Sequence, residues 1–212
     1  MNPVRALLMK HHSRNIPICG YFGLSSIRSR CILEGMRQET TVEGIRSFMR
    51  ELGLRIRKPV KVYLTGGATC VMHGWRESTV DIDLKPVPDL GEVYTAIAQL
   101  KEELSLNIEM AAPDHFMPAL PGWEERSEPI DTIGQVRFYH YDAYAQVLSK
   151  VARGFEQDLV DARKMMEEKD PARLLELFAA IRPDLVRYPA IDEKALTEKV
   201  ARFLESLPER QA

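Results

Sequence analysis

The sequence predicts an α+β fold, with strands and flanking helices interleaved up to about residue 140 and a helical C-terminal extension beyond it. Three observations predict this. The run KVYLTGGATCVMHGWRESTVDIDLKPV alternates from Lys61 to Leu64, breaks at Gly66 and Gly67, and alternates again from Ser78 to Val87, which reads as strand, glycine turn, short helix, strand. Two more strand-like stretches, 106–111 and 130–139, occur before residue 140. After Tyr141 the apolar residues recur only at helical spacing.

The elements follow in order. Thr40 and Glu43 have the spacing of a capping box opening a helix over 41–53, whose apolar face is Ile45, Phe48, Met49 and Leu52. A strand over 59–64, a short helix over 68–74 and a strand over 78–87 come next. Asp89 with Glu92 predicts the cap of a helix to about 104 that buries Val93, Ile97 and Leu100. After strand 106–111, the prolines and glycine at Pro113, Pro118, Pro121, Gly122 and Pro129 predict a long loop, of a length that is often functional and here read as substrate-binding. Strand 130–139 precedes helices over 142–153 and 157–168, one started by Asp170 and Pro171, and a last one capped by Asp192 with Leu196, Val200, Phe203 and Leu204 on one face.

At 212 residues and 45% hydrophobic content the chain can bury a full core. The net charge of −2 provides no general attraction to nucleic acid or anionic lipid, so an RNA substrate would need a local grip. No apolar run approaches the ~20 residues that span a bilayer, which predicts no membrane partner. Three cysteines, Cys19, Cys31 and Cys70, without metal-ligand spacing predict reduced thiols and a cytoplasmic protein, and the five histidines form no ligand motif. Residues 1–35 carry five Lys or Arg against one acid, Glu34; they are read as a poorly ordered extension or an artefact of start-site choice, ahead of a core over 36–140 and a helical region over 141–212.

The chemistry concentrates in Asp81 and Asp83, fourteen residues past Gly67. In a strand they share a face, about 7 Å apart, while Ile82 and Leu84 face the core. Two such carboxylates repel, and a hard divalent cation is the usual remedy: Mg²⁺ takes oxygen ligands and keeps positions open for phosphates. Without Cβ atoms, Gly66 and Gly67 let backbone N–H groups approach an anion, at the positive end of the following helix. Arg76 lies between the glycines and the carboxylates in sequence and suits a bidentate hold on phosphate. The bland alternatives are an acidic solvent face for the aspartates and a surface position for Arg76. Trp75, Trp123 and Phe116 could stack a base, but read more readily as core or loop anchors.

The glycine pair, the frame HGWREST and the DIDL strand resemble the nucleotidyltransferase superfamily with the DNA polymerase β-like fold, and within it the abortive-infection toxin-like and related uncharacterised nucleotidyltransferases of bacteria and archaea. The resemblance runs from about Met36 to about residue 180 and implies a mixed sheet with flanking helices. It also implies a third metal-binding carboxylate, for which Glu109 in LNIEMA is the candidate and Asp114 the reserve, and a helical lysine followed by aspartates, matched by Lys150 in YAQVLSKVARGF and by Asp158 and Asp161 in QDLVDARKM. Lys150 falls at the edge of the stripe Tyr144, Val147, Leu148 and Val151; the bland reading is a snorkelling lysine and surface aspartates paired with Arg153, Arg163 or Lys164. Ala68 stands where many members carry a serine, so a hydroxyl grip on phosphate falls to Thr69 or Thr65, or is missing.

What the resemblance implies is Mg²⁺-dependent transfer, with Mn²⁺ as a substitute, of a nucleoside monophosphate from an NTP to a hydroxyl of an RNA or tRNA end, a protein or a small molecule. Gly66, Gly67, Thr69, Arg76 and Lys150 would bind the nucleotide, Asp81, Asp83 and Glu109 the metal, and the catalytic set would be these three carboxylates with Lys150, Asp158 and Asp161. A toxin role beside a cognate antitoxin follows from the narrower likeness. The rival is a non-catalytic nucleotide-sensing or protein-interaction module, and whether Asp81, Asp83 and Glu109 converge beside the glycine turn separates the two.

Overall fold

A computed structural model of the chain describes residues 39–208, which lie in one compact unit. The expected 1–35 extension, with Cys19 and Cys31, lies outside the described residues. The fold is α+β, built on a mixed five-stranded sheet of order β3-β2-β1-β5-β4. The strands are β1 (Val60–Thr65), β2 (Asp81–Val87), β3 (Asn107–Glu109), β4 (Glu128–Ile133) and β5 (Val136–His140). β1 runs antiparallel to β2 and parallel to β5, β2 parallel to β3, and β4 antiparallel to β5.

Apolar cores line both faces of the sheet. On one, Val62, Leu64, Ile82, Leu84, Val136 and Phe138 pack against helices α1 (Val42–Arg55) and α3 (Gly91–Glu103), whose Phe48, Leu52, Val93 and Leu100 are fully buried. On the other, Tyr63 stacks on Tyr139 with ring centroids 5.2 Å apart and meets Trp123 and Tyr141 edge-on. The helices α5 (Ala143–Arg153), α6 (Glu156–Met166), α7 (Pro171–Ile181) and α8 (Glu193–Glu205) contribute Val147, Leu148, Met165, Leu174 and Val200 to that second core. β1, buried on both faces, is the spine between them, as its run of β-branched and aromatic residues allows. Among the described residues no helix is long and apolar enough to cross a membrane.

Several local expectations change. The Thr40–Glu43 capping box does not form: Thr40 is held in a backbone bridge to Thr79, and the N-cap is Thr41, whose hydroxyl reaches Glu43 at 2.7 Å. Asp89 does not cap α3, because Leu90 takes the N-cap position and Glu92 accepts a hydrogen bond from the Lys58 backbone at 3.2 Å instead. The caps at Asp170 and Asp192 do form, each carboxylate accepting a backbone N–H. The long loop is largely organised: a 3₁₀ turn at Pro113–His115, buried Met117 and Leu120, and the short helix α4 (Trp123–Arg126) break it up, and Pro129 lies in β4. The material around 130–139 is a hairpin turning at Gly134.

Candidate active site

β2 alternates as its sequence predicts: Ile82 and Leu84 are fully buried while Asp81, Asp83 and Lys85 project from the opposite face. The parallel neighbour β3 sets Glu109 opposite Asp83 and Asn107 opposite Asp81. Together with Thr65, Gly66 and the α5 residues Gln146, Ser149, Lys150 and Arg153, the three carboxylates line one pocket of about 200 Å³. The three carboxylates share this pocket beside the glycine turn, but their side chains are not drawn to one point. Asp114, the reserve carboxylate, is spent elsewhere, in an ion pair with Lys85.

Electrostatics in the pocket are those of crowded anions. Burial first, then the charges of Asp81 and Glu109, push the Asp83 carboxyl up to about 6. The Asn107 side-chain amide donates to Asp81 and, at 3.4 Å, to Glu109, so it partly neutralises the cluster. Nothing in the sequence pointed to Asn107; its role comes from its register on β2. The donor set, three carboxylates and no sulfur or imidazole, suits a hard divalent cation. Among the described residues, no group of three such side chains is already drawn together closely enough to hold one.

At the turn between β1 and helix α2 (Gly66–Met72), a side chain is excluded twice over. Gly66 has φ +62°, and a Cβ there would stand 2.5 Å from the Asp83 carboxylate; a Cβ on Gly67 would strike the Thr79 side chain. The Gly66 N–H donates to Gln146 Oε1 at 2.9 Å, and Gln146 in turn donates to the Tyr141 carbonyl at 2.7 Å. Gln146 is buried, and only the fold could show that α5 reaches the glycine turn. Thr69 turns away, its hydroxyl donating to the Leu64 carbonyl at 3.1 Å and its side chain lining a different cavity. Thr65 lines the carboxylate pocket, and Ala68 is fully buried in the core.

Lys150 is 3% exposed. Its ammonium donates to Asp161 at 2.6 Å and to Asp158 at 3.2 Å, so the helical lysine and the two aspartates form one buried cluster between α5 and α6. Lys150 therefore does not snorkel, and of the arginine and lysine partners expected for the aspartates, Arg153 alone is among those found, on a buried Asp158. Arg76 donates from Nε to Asp161 at 3.0 Å and Arg153 pairs with Asp158 at 2.6 Å, so each aspartate serves two cations. Burial alone would raise the Asp161 carboxyl, but Lys150, Gln157 and Arg76 hold it below its usual value. Arg76 does not line the carboxylate pocket; it abuts the lysine cluster from the side of Gly67. Of the aromatics, Trp123 stacks on Tyr141 with centroids 4.5 Å apart, Trp75 stacks on His73 at 4.4 Å, and Phe116, 59% exposed, borders the carboxylate pocket.

Residues 41–201 match a protein family described as a nucleotidyltransferase of unknown function (DUF6036). No curated protein and no solved structure matches the chain.

Proposed function

Since the chain belongs to this nucleotidyltransferase family, we propose that it transfers a nucleoside monophosphate from an NTP to a hydroxyl acceptor, with the cluster of Asp81, Asp83 and Glu109 as the catalytic centre. The observation that supports this reading best is the meeting of those three carboxylates with Lys150 and Arg153 in one pocket beside Gly66. In the reaction the acceptor oxygen bonds the α-phosphorus, the bond from that phosphorus to the bridging oxygen of the β-phosphate breaks, and pyrophosphate leaves with the electron pair.

Asp81, Asp83 and Glu109 would hold Mg²⁺, or Mn²⁺ in its place, and the ion would neutralise charge on the phosphates in the manner of metal-assisted phosphoryl transfer. Glu109, the most exposed of the three, accepts the acceptor's hydroxyl proton on a carboxylate oxygen. Lys150 and Arg153 give the pocket its positive wall, and Asp158, Asp161 and Arg76 fix the lysine's position rather than touching the nucleotide. A phosphate oxygen gains the Gly66 N–H only by displacing Gln146. Asn107 orients Asp81 and Glu109 while the cation is away.

The likeness to polymerase β-type and abortive-infection transferases supports the same chemistry, and a toxin role beside an antitoxin is its extension. Incubation with each α-labelled NTP, Mg²⁺ and separated cellular fractions tests the reading. Acid-stable label should pass to an acceptor with the wild-type protein and not with Asp81→Asn. Equal labelling by both proteins would refute the assignment of the centre.

A further inference from the structure

Resting on the transferase reading, we infer that the acceptor is a small molecule with a largely apolar body and a hydroxyl, seated in a second cavity that opens onto the carboxylate pocket. This cavity, about 810 Å³, shares Phe116, Ser149 and Arg153 with that pocket. Its size lies in the range of small-molecule sites, roughly 300–1,000 Å³. Its neighbour, about 200 Å³, suits phosphates and a cation rather than an acceptor as well.

The lining sets the acceptor's chemistry. Met117, Pro189, Ala190, Ile191 and Leu196 make the walls apolar, and Phe116 offers an exposed ring at the threshold. Of the charged groups in the lining, Arg153 and Asp192 are held by strong contacts, Arg187 by a loose one, and Lys199 by a neutral carbonyl. Arg153 pairs with Asp158 at 2.6 Å, Lys199 donates to the Ala152 carbonyl at 2.5 Å, Arg187 lies 3.6 Å from Asp184, and Asp192 accepts from the Ala195 N–H at 2.7 Å. A polynucleotide draws most of its affinity from several cations set against its phosphates, whereas the wall of this cavity is mainly apolar. An extended protein segment needs an open groove or sheet edge. An uncharged, apolar-bodied alcohol needs neither, and its hydroxyl would reach the carboxylates past Ser149 and Phe116.

The test uses the full chain with α-labelled NTP, Mg²⁺ and three separate acceptor pools: a solvent-extracted cell fraction below about 1 kDa, total RNA and total protein. Ala195→Trp and Ala190→Trp, two exposed positions in the lining, narrow the cavity from different sides. Thermal stabilisation by NTP and Mg²⁺ is measured in parallel. The inference expects label in the small-molecule pool, a fall of tenfold or more in both variants, and nucleotide stabilisation unchanged. Label in RNA or protein, or full transfer by both variants, would overturn it while leaving the transferase reading in place. Loss of nucleotide stabilisation in the variants would assign the cavity to the nucleoside and also overturn it. No label in any pool would defeat it too, and a wild-type protein that NTP and Mg²⁺ do not stabilise would remove the transferase reading as well.

Discussion

Asp83 and Glu109 stand directly opposite each other across the parallel pair β2 and β3, with Asp81 two residues away on the same face as Asp83. The sheet thus builds a repulsive triad, and the chain tolerates it because the Asp83 proton is retained up to a pH of about 6. The folded state binds that proton more tightly than the unfolded chain, so stability is lost as pH rises from about 4 to about 6. In metal-free buffer at pH 7, Asp83→Asn should therefore be more stable than wild type by about 1–2 kcal/mol after allowance for solvent screening. Urea unfolding of both proteins at pH 4 and pH 7 checks this: the gap should close at the lower pH. A variant less stable at both values would contradict it.

Lys150 leads to a different expectation. A lysine at the edge of an apolar stripe suggests a side chain that contributes little to stability, yet its ammonium is buried against Asp158 and Asp161. Removing the ammonium takes a buried donor from both aspartates but leaves each paired with an arginine, so the cost should fall below the roughly 3–5 kcal/mol of a stranded buried charge. Lys150→Met should accordingly lower the melting temperature moderately, and adding Arg76→Met, which leaves Asp161 with no cation, should lower it much further. A single variant that melts like wild type would show that the pair is not buried in solution.

The glycine turn offers a sharper geometric test. At Gly66 an added methyl meets the Asp83 carboxylate, in a backbone conformation with φ +62° that L-residues rarely adopt. Gly66→Ala should destabilise by about 1–3 kcal/mol and abolish nucleotide-dependent stabilisation, because Asp83 must move. Retained stabilisation would mean that Asp83 does not have to stand where it does.

His140 carries an acid-sensitive contribution outside the site. Burial, then the neighbouring His73, stacked at 4.2 Å, depress it to about 4. Below about 6.5 the unfolded chain takes up a proton that the folded one refuses, so stability falls as pH drops from about 6.5 towards 4. His140→Phe should lose about 1–2 kcal/mol less than wild type between pH 7 and pH 5, read by urea unfolding. Parallel losses would show that His140 is hydrated.

The parts of the molecule legible in the sequence are those with local periods. Asp81 and Asp83 share a face because strands alternate, and Val93, Ile97 and Leu100 are buried because helices repeat. Glu109 could be singled out the same way, but its place opposite Asp83 depends on β3 pairing with β2 in parallel, which no local pattern encodes. Asn107 and Gln146 were illegible for that reason: each acts across 26 or more positions of chain. The caps expected at Thr40 and Asp89 fail through competition, since a bridge to Thr79 withdraws one residue and Leu90 takes the cap position from the other. The proline-rich stretch looked like a free loop because prolines mark breaks but do not reveal that Met117 and Leu120 are buried.

Melting curves of wild type and Asp83→Asn, each with and without millimolar Mg²⁺ plus a non-hydrolysable NTP, test the catalytic centre most directly. At a ligand concentration about a hundredfold over Kd the wild type should gain about 2.7 kcal/mol, or roughly 5–10 °C, and only when metal and nucleotide are present together. Asp83→Asn should gain little. A wild-type protein indifferent to both, or a variant stabilised as strongly as wild type, would contradict the assignment of Asp81, Asp83 and Glu109 as the centre that binds metal and nucleotide.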